Sequence, residues 1–546
     1  MAKNKTHRRT YMAAAKFFPR KLLSFLSKFQ FKRQTNPSSL QFRFRKGHAT
    51  HSMFQKFTSL PHNNIKSEQI TSLVFHLEAA LLKSSSLFPY FMLVAFEGGG
   101  LLRVLILFLL YPLVWLFGEK QIGLNIMVFV SFVGIKSDKF RIGSSVLPKF
   151  LLEDVGNEGF NAVMNYGDKR KIAVSEMPRI MVECFVKDYL RVDGVEGREL
   201  KVFCGYFLGL MEGKKGNPVV LKEFHGDGKM GGYAIGIGCF EYKAFDDHLF
   251  SYCKEIYWVT EAEKRKWEIL PREKYPKPLI FHDGRLAFRP TPLASLFMFM
   301  WLPLGIFVSI IRFTSGTLLP LSIVNLVNSS TGFKSTLSIS NPSSINSTNY
   351  DNKPTGLLYV CNHRTLLDPI YVSIFIMKPV TAVTYSTSRF TEIMSPIKTV
   401  GLTRDREKDK EIMEQELSRG DLAVCPEGTT CREPYLLRFS PLFAEMTDEI
   451  VPVAIDMQVS MFYGSTASGF KWLDSIYNLL NPFAMYSATI LEKLPSSQTC
   501  NSGGKSRIEV ANYVQNKIGK ALGFECTSLT RKDKYMILAG NEGITK

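Results

Sequence analysis

From Leu293 to Ile311 the chain carries no charged residue. That length approaches the roughly 20 apolar residues that cross a hydrocarbon core. A helix apolar on all its faces is buried in protein or in lipid. Two further apolar runs precede it. Leu101 to Phe117 holds one charge, Arg103, and Ile122 to Ile135 follows the polar Gly118-Glu119-Lys120-Gln121. The first is borderline for a span and the second is short. The simplest arrangement is a hydrophobic hairpin over 101–135, with a membrane segment at 293–311 lying in or crossing the bilayer. The alternative is that the first two runs are buried core helices. The chain is expected at a membrane, multi-pass or hairpin-anchored.

With 546 residues there is room for two or three domains. The formal charge of +19 suits an anionic membrane, small anionic substrates or nucleic acid. Zinc-finger spacing and interleaved basic and aromatic residues do not occur, so no nucleic-acid partner is expected. Nine cysteines without C-x-x-C pairs suit reduced thiols facing the cytosol. Residues 1–67 are rich in Lys and Arg and contain no Asp or Glu. This reads as a disordered basic arm drawn to anionic headgroups, or as a mitochondrial presequence. The endoplasmic reticulum is favoured, with a mitochondrial membrane as the alternative.

Two α/β domains are predicted. Lys171 to Ser175 and Ala234 to Gly238 read as strands around an amphipathic Arg179 to Tyr189, which predicts a parallel sheet. The first domain is placed over 85–285. Residues 325–352 shift to Ser, Asn and Thr and read as a linker. A second domain covers 353–510, with candidate strands at Leu357, Ala382, Leu422 and Val451. Residues 511–546 read as a C-terminal tail.

The chemistry lies in the second domain. Asn362-His363-Arg364-Thr365-Leu366-Leu367-Asp368 follows the apolar Leu357-Leu358-Tyr359-Val360. One helical turn between His363 and Asp368 would bring their side chains together. A neutral imidazole can then take a proton from a hydroxyl, while the carboxylate fixes its tautomer. No nucleophile elbow is present, so the His would activate the substrate's own hydroxyl. Thr403-Arg404-Asp405-Arg406 comes next, then Val424-Cys425-Pro426-Glu427-Gly428-Thr429-Thr430-Cys431-Arg432, then Ile450-Val451-Pro452-Val453-Ala454-Ile455. A phosphate-bearing acceptor calls for Arg, whose guanidinium fork binds oxyanions bidentately. Arg404, Arg406 and Arg432 are the candidates, although Arg404 to Lys410 also alternates sign as an exposed helix start does. Glu427, Gly428 and Thr429 join a turn glycine to polar groups; the plain alternative is a strand-end turn.

These four blocks, in this order, resemble the glycerolipid acyltransferase superfamily. The strings Cys361 to Asp368, Leu402 to Asp409 and Cys425 to Thr430 are similar to the plant endomembrane glycerol-3-phosphate acyltransferases linked to the lipid polyesters cutin and suberin. The resemblance implies an acyltransferase moving an acyl group from acyl-CoA to glycerol-3-phosphate, giving lysophosphatidic acid. It leans towards the second hydroxyl. It implies His363 and Asp368 as catalytic residues, with Arg404, Arg406, Glu427, Gly428, Thr429 and Arg432 binding substrate. Neither cofactor nor metal is implied, and protein partners stay open. A lysophospholipid or other alcohol acyltransferase is the enzymatic alternative, and a membrane scaffold or lipid-binding protein is the non-enzymatic one.

Plant relatives carry a first domain resembling the haloacid-dehalogenase phosphatases. In active ones a strand ends in D-x-D-G-T, and a later G-D-x-x-x-D holds magnesium. The resemblance places Phe96 and Gly98 at the first two acids, Ser175 at the phosphate-binding hydroxyl, and Cys239 and Lys243 at the metal-ligand places. Phosphoaspartyl chemistry needs a carboxylate nucleophile, so this domain is expected to be a catalytically dead scaffold.

Overall fold

Strands of a parallel sheet are covered on both faces and therefore read as unbroken apolar runs. Two sheets, the first wholly and the second mainly of parallel strands, are present in the computed structural model, which describes residues 53–57, 70–213, 233–239, 249–250, 253–340, 356–384 and 395–543. Most of the basic arm, residues 341–355 and Lys243 lie outside these.

The first sheet uses β1 (Met53–Lys56), β2 (Ile70–His76), β3 (Arg170–Val174) and β4 (Gly194–Glu196). An antiparallel hairpin, β5 (Leu200–Phe203) and β6 (Tyr206–Met211), stands apart, and β7 (Tyr233–Gly238) and β8 (Glu255–Trp258) complete the sheet. The order is β1-β8-β7-β2-β3-β4, parallel throughout. Thus β2 is central, flanked by β3 and β7. The expected strands at Lys171 and Ala234 are β3 and β7. The domain begins before residue 85, because β2 is its central strand.

Between β2 and β3 the chain forms α1 (Phe88–Leu109), α2 (Tyr111–Phe117) and α3 (Gly123–Phe132). α1 kinks at Gly100, whose φ of 68° is left-handed. The half before the kink is buried; the half after it exposes Leu102, Leu105, Ile106 and Leu109. Arg103, the one charge in this run, donates to the carbonyls of Ser131 and Val133 at 3.0 and 2.9 Å. It thereby satisfies orphan acceptors at the end of α3. α4 (Pro292–Leu318) contains the charge-free run. Its buried positions Ser295, Met298, Gly305, Ser309, Arg312 and Ser315 form one stripe at helical spacing. Leu304, Phe307 and Ile310 on other faces are exposed. α1 and α4 are both long and apolar enough to cross a membrane.

The second domain begins earlier than its composition suggests. α5 (Leu321–Ser330) leads into β9 (Phe333–Ile339), which pairs in parallel with a strand of the second sheet. Residues 325–339 are therefore not a linker. β9 is an edge strand with one neighbour and mostly exposed side chains, so its Ser and Thr residues meet water. The other strands are β10 (Leu358–Cys361), β11 (Thr381–Thr384), β12 (Thr399–Gly401), β13 (Leu422–Val424), β15 (Ile450–Val459) and β16 (Ala484–Ile490), with β14 (Tyr435–Leu436) outside the sheet. Their order is β12-β11-β13-β10-β15-β16-β9. All four expected strands are present, and β10 lies between β13 and β15. α6 (Asp368–Ile376) follows β10, and α7 (Arg406–Arg419) follows β12.

The C-terminal segment is no tail. α8 (Arg507–Leu522) buries Val510, Ala511, Val514 and Ile518 in the core beneath this sheet. β17 (Glu525–Cys526) pairs with β14, and α9 (Arg531–Ala539) ends the described chain. The first domain and the second meet through the buried ion pair Arg285–Asp474 at 2.5 Å and the buried contact of His282 with Glu433 at 3.0 Å.

Candidate active site

Parallel sheets present their functional loops at the carboxyl ends of the strands. β10 ends at Cys361, and the chain turns through Asn362–Leu367 into α6. Asn362 is fully buried. Its amide donates to the Ile455 carbonyl at 2.9 Å and accepts from the Ile455 N–H at 2.7 Å, fixing the turn to β15. Asp368, also fully buried, opens α6, where the helix dipole favours an acid. One of its oxygens accepts from the N–H groups of Arg364 and Thr365 at 2.5 and 2.8 Å; the other accepts from the Thr365 hydroxyl at 2.9 Å. His363 Nδ1 lies 3.0 Å from Oδ2 of Asp368. A carboxylate accepts, so Nδ1 carries the proton and Nε2 is the basic nitrogen. Among the described residues Nε2 makes no bond, and the ring is slightly exposed.

Glu427, expected to bind substrate, uses both oxygens within the protein. Its two oxygens accept from the N–H groups of His363 at 2.7 Å and Leu437 at 2.9 Å. Burial pushes its carboxyl up to about 7. It ties the turn after β13 to the catalytic turn. Gly428 has φ +63°, the left-handed value that a glycine accommodates. The same loop is tied again: Cys431 N–H donates to the His363 carbonyl at 2.8 Å, and Arg364 donates to the carbonyls of Cys431 and Glu433, each at 2.8 Å. Thr429 and Thr430 receive Lys534 of α9, a buried amine pulled down to about 8 by burial. Lys534 escaped sequence reasoning because no motif surrounds it.

The three candidate arginines separate. Arg406, at the start of α7, is held by both oxygens of Glu445 at 3.0 and 2.7 Å. Arg432 is buried against Tyr463, Ser465, His282 and Asp283. Arg404 is exposed, and among the described residues its guanidinium meets no acid. Its φ of 69° is left-handed, a strained state for a side chain, and the Asp409 carboxylate accepts its N–H at 3.0 Å.

His363, Asp368 and Cys425 place potential metal-ligand atoms within 4.8 Å of one another. The donors do not suit a metal. Asp368 is committed to three N–H groups and a hydroxyl, and the Cys425 thiol is pushed well up by its contact with Cys361 and by burial. The cluster is a dyad with a neighbouring thiol.

Comparison with known proteins agrees with this geometry. Residues 72–259 match the model "Glycerol-3-phosphate acyltransferase RAM2-like, HAD-like domain", and residues 344–456 match "Acyltransferase". Over 506 residues the chain is 50% identical to "Probable glycerol-3-phosphate acyltransferase 2" of Arabidopsis thaliana, covering 90% of this chain and 94% of that relative. The chain belongs to the glycerol-3-phosphate acyltransferase family. It is also 48% identical to "Glycerol-3-phosphate acyltransferase 1" of Arabidopsis thaliana, over 84% of this chain and 78% of the relative. Identity to "Glycerol-3-phosphate acyltransferase RAM2" of Petunia hybrida is 42%, over 86% and 97%.

In this acyltransferase the phosphatase-like site is not where the Gly-rich string suggested. Phe96 and Gly98 lie within helix α1, so neither ends a strand. The central strand β2 ends at His76, and His76-Leu77-Glu78 has the D-x-D spacing. Ser175 follows β3, and Cys239 follows β7, the strands on either side. The Ser175 hydroxyl donates to Glu78 Oε1 at 2.5 Å, and the N–H groups of Glu176 and Met177 reach the same oxygen at 3.1 and 3.4 Å. The other Glu78 oxygen lies 3.2 Å from His76 Nδ1. Burial raises the Glu78 carboxyl to about 7. Magnesium does not fit these residues, since a hard cation needs several oxygen ligands and the one carboxylate is occupied.

Proposed function

We propose that this acyltransferase transfers an acyl group from acyl-CoA to glycerol-3-phosphate, releasing CoA and lysophosphatidic acid. The carrying observation is the His363–Asp368 dyad, whose Nε2 is unengaged among the described residues. As the acceptor oxygen bonds to the thioester carbonyl carbon, Nε2 takes its proton. The carbon–sulfur bond then breaks, and the imidazolium returns the proton to the CoA sulfur. Incubating membranes with acyl-CoA and either glycerol-3-phosphate or a lysophospholipid tests the acceptor. A lysophospholipid preference would overturn it.

Arg404 is the acceptor's phosphate ligand in this reading, because among the described residues it alone of the three candidate arginines has a guanidinium that neither an acid nor a buried contact holds. Arg404→Ala is expected to raise the Michaelis constant for glycerol-3-phosphate by about tenfold or more, consistent with loss of a charge-assisted pair. The constant for acyl-CoA should move little, and Arg406→Ala should do less. Equal effects on both substrates would point to folding instead.

The family resemblance supports the second hydroxyl as the site of transfer, the endoplasmic reticulum as the membrane and lipid polyesters as the destination. Positional analysis of the product, with cell fractionation, tests these.

The first domain is read as an inactive phosphatase. His76 stands where the nucleophilic acid is needed, and Glu78 fills the donors that would hold a phosphoryl group. The product therefore keeps its phosphate. Purified enzyme should accumulate lysophosphatidic acid with or without magnesium, and the double variant His76→Asp, Glu78→Asp should still yield no monoacylglycerol, because Cys239 supplies no hard ligand. Enzyme-dependent monoacylglycerol from the unmodified protein would refute this.

A further inference from the structure

Glu433 closes the loop that began at Glu427. Its side chain is 5% exposed, yet Arg272 Nη1 lies 2.6 Å from one oxygen and His282 Nε2 lies 3.0 Å from the other. Burial alone would raise this carboxyl; His282 and Arg272 overcome it and hold it well below the usual carboxylate range. Burial pushes His282 down to about 4, so its ring is neutral and turns Nε2–H towards Glu433. Arg432, the preceding residue, faces Asp283, and the Cys431 thiol lies 3.8 Å from the Ile280 carbonyl. Every one of these outside partners comes from residues 272–283, the last stretch of the first domain before α4, whose Leu279 lies in that domain's core.

The far side of the loop holds the base. His363 N–H donates to Glu427, and its carbonyl accepts from Cys431. Arg364 reaches the Glu433 carbonyl itself. Glu433 is thus one residue with two attachments, its side chain to the first domain and its backbone to the catalytic turn. A misplacement of about 1 Å at a reacting group can cost 10²-fold in rate.

We propose that the phosphatase-like half is the positioning device of the acyltransferase site: Arg272 and His282 fix Glu433, and Glu433 fixes the loop that holds His363. This gives a domain without phosphatase chemistry a role in acyl transfer. The proposal rests on His363 as the base. Arg272 is the residue to change, because its side chain is 44% exposed, unlike the buried His282 and Glu433.

In the full-length membrane enzyme, Arg272→Gln is expected to lower kcat about tenfold and leave the Michaelis constant for acyl-CoA within about twofold. Diethyl pyrocarbonate labelling at His363, followed by peptide mass spectrometry, should change in rate. Arg272→Lys keeps the charge and should restore both. A wild-type kcat in Arg272→Gln overturns the proposal. So does a loss that leaves His363 labelling unchanged and that Lys does not repair, since that is a general structural effect. His363→Ala is measured alongside. If it retains activity, both this proposal and the base assignment fall; if it is inactive while Arg272→Gln is normal, only this proposal falls.

Discussion

His363→Ala abolishes acyl transfer, by roughly 10²–10⁴-fold or more, while the protein accumulates in membranes as the wild type does. The two halves of that expectation have separate physical grounds. The imidazole makes one described side-chain contact, with Asp368. Its removal takes away the group proposed to accept the acceptor's proton. The residue's structural bonds are made by its backbone: its N–H to Glu427 and its carbonyl from Cys431. Alanine keeps both, so the turn stays tied to the loop after β13. Asn362 still clamps the turn to β15. Activity with acyl-CoA and glycerol-3-phosphate is measured against protein abundance by immunoblot. Near-normal activity would remove His363 as the base, and lost abundance would show that the ring holds the fold.

The dyad was legible because it is local. Its two residues lie in one turn between a buried strand and a helix, so the spacing brings them together once the chain turns there. The loop's architecture was not legible in the same way. Glu427 reads as a polar residue beside a turn glycine, and nothing in its neighbourhood shows that its oxygens face two N–H groups distant in the chain. Arg404, Arg406 and Arg432 look alike in sequence. What separates them is long-range: Glu445 beside one guanidinium, Asp283 and Tyr463 beside another, and, among the described residues, no acid on the third. The phosphatase-like site was misplaced for a related reason. Phe96 to Gly100 reads as the D-x-D-G-T end of a strand that has lost its acids, but it lies in a helix kinked at Gly100. The strand that ends at His76 carries no glycine to mark it. β9 was hidden by composition, since an edge strand tolerates the Ser and Thr that otherwise read as linker. Arg272, Glu433 and Lys534 form no motif and emerge from tertiary contacts alone.

Asp368→Asn is expected to fold and still lose about 10²–10³-fold in kcat. The hydrogen bonds decide which way the new amide turns. Three N–H donors converge on Oδ2, from His363, Arg364 and Thr365. An amide nitrogen cannot face them, so the amide oxygen takes that place. Its NH₂ then faces the Thr365 hydroxyl, which can rotate to accept and turn its own proton towards Tyr486, 3.0 Å away. The His363 tautomer and the start of α6 are kept. What disappears is the negative charge that stabilises the imidazolium as it forms. Asp368→Ala differs in kind. It orphans buried N–H groups at about 1–3 kcal/mol each, so abundance and unfolding temperature should fall with activity. The comparison of kcat and thermal unfolding across the two variants separates charge from structure. If Asp368→Asn kept most of its activity, the carboxylate's charge would have no part in proton transfer, and the dyad would reduce to a lone histidine held in place by its turn.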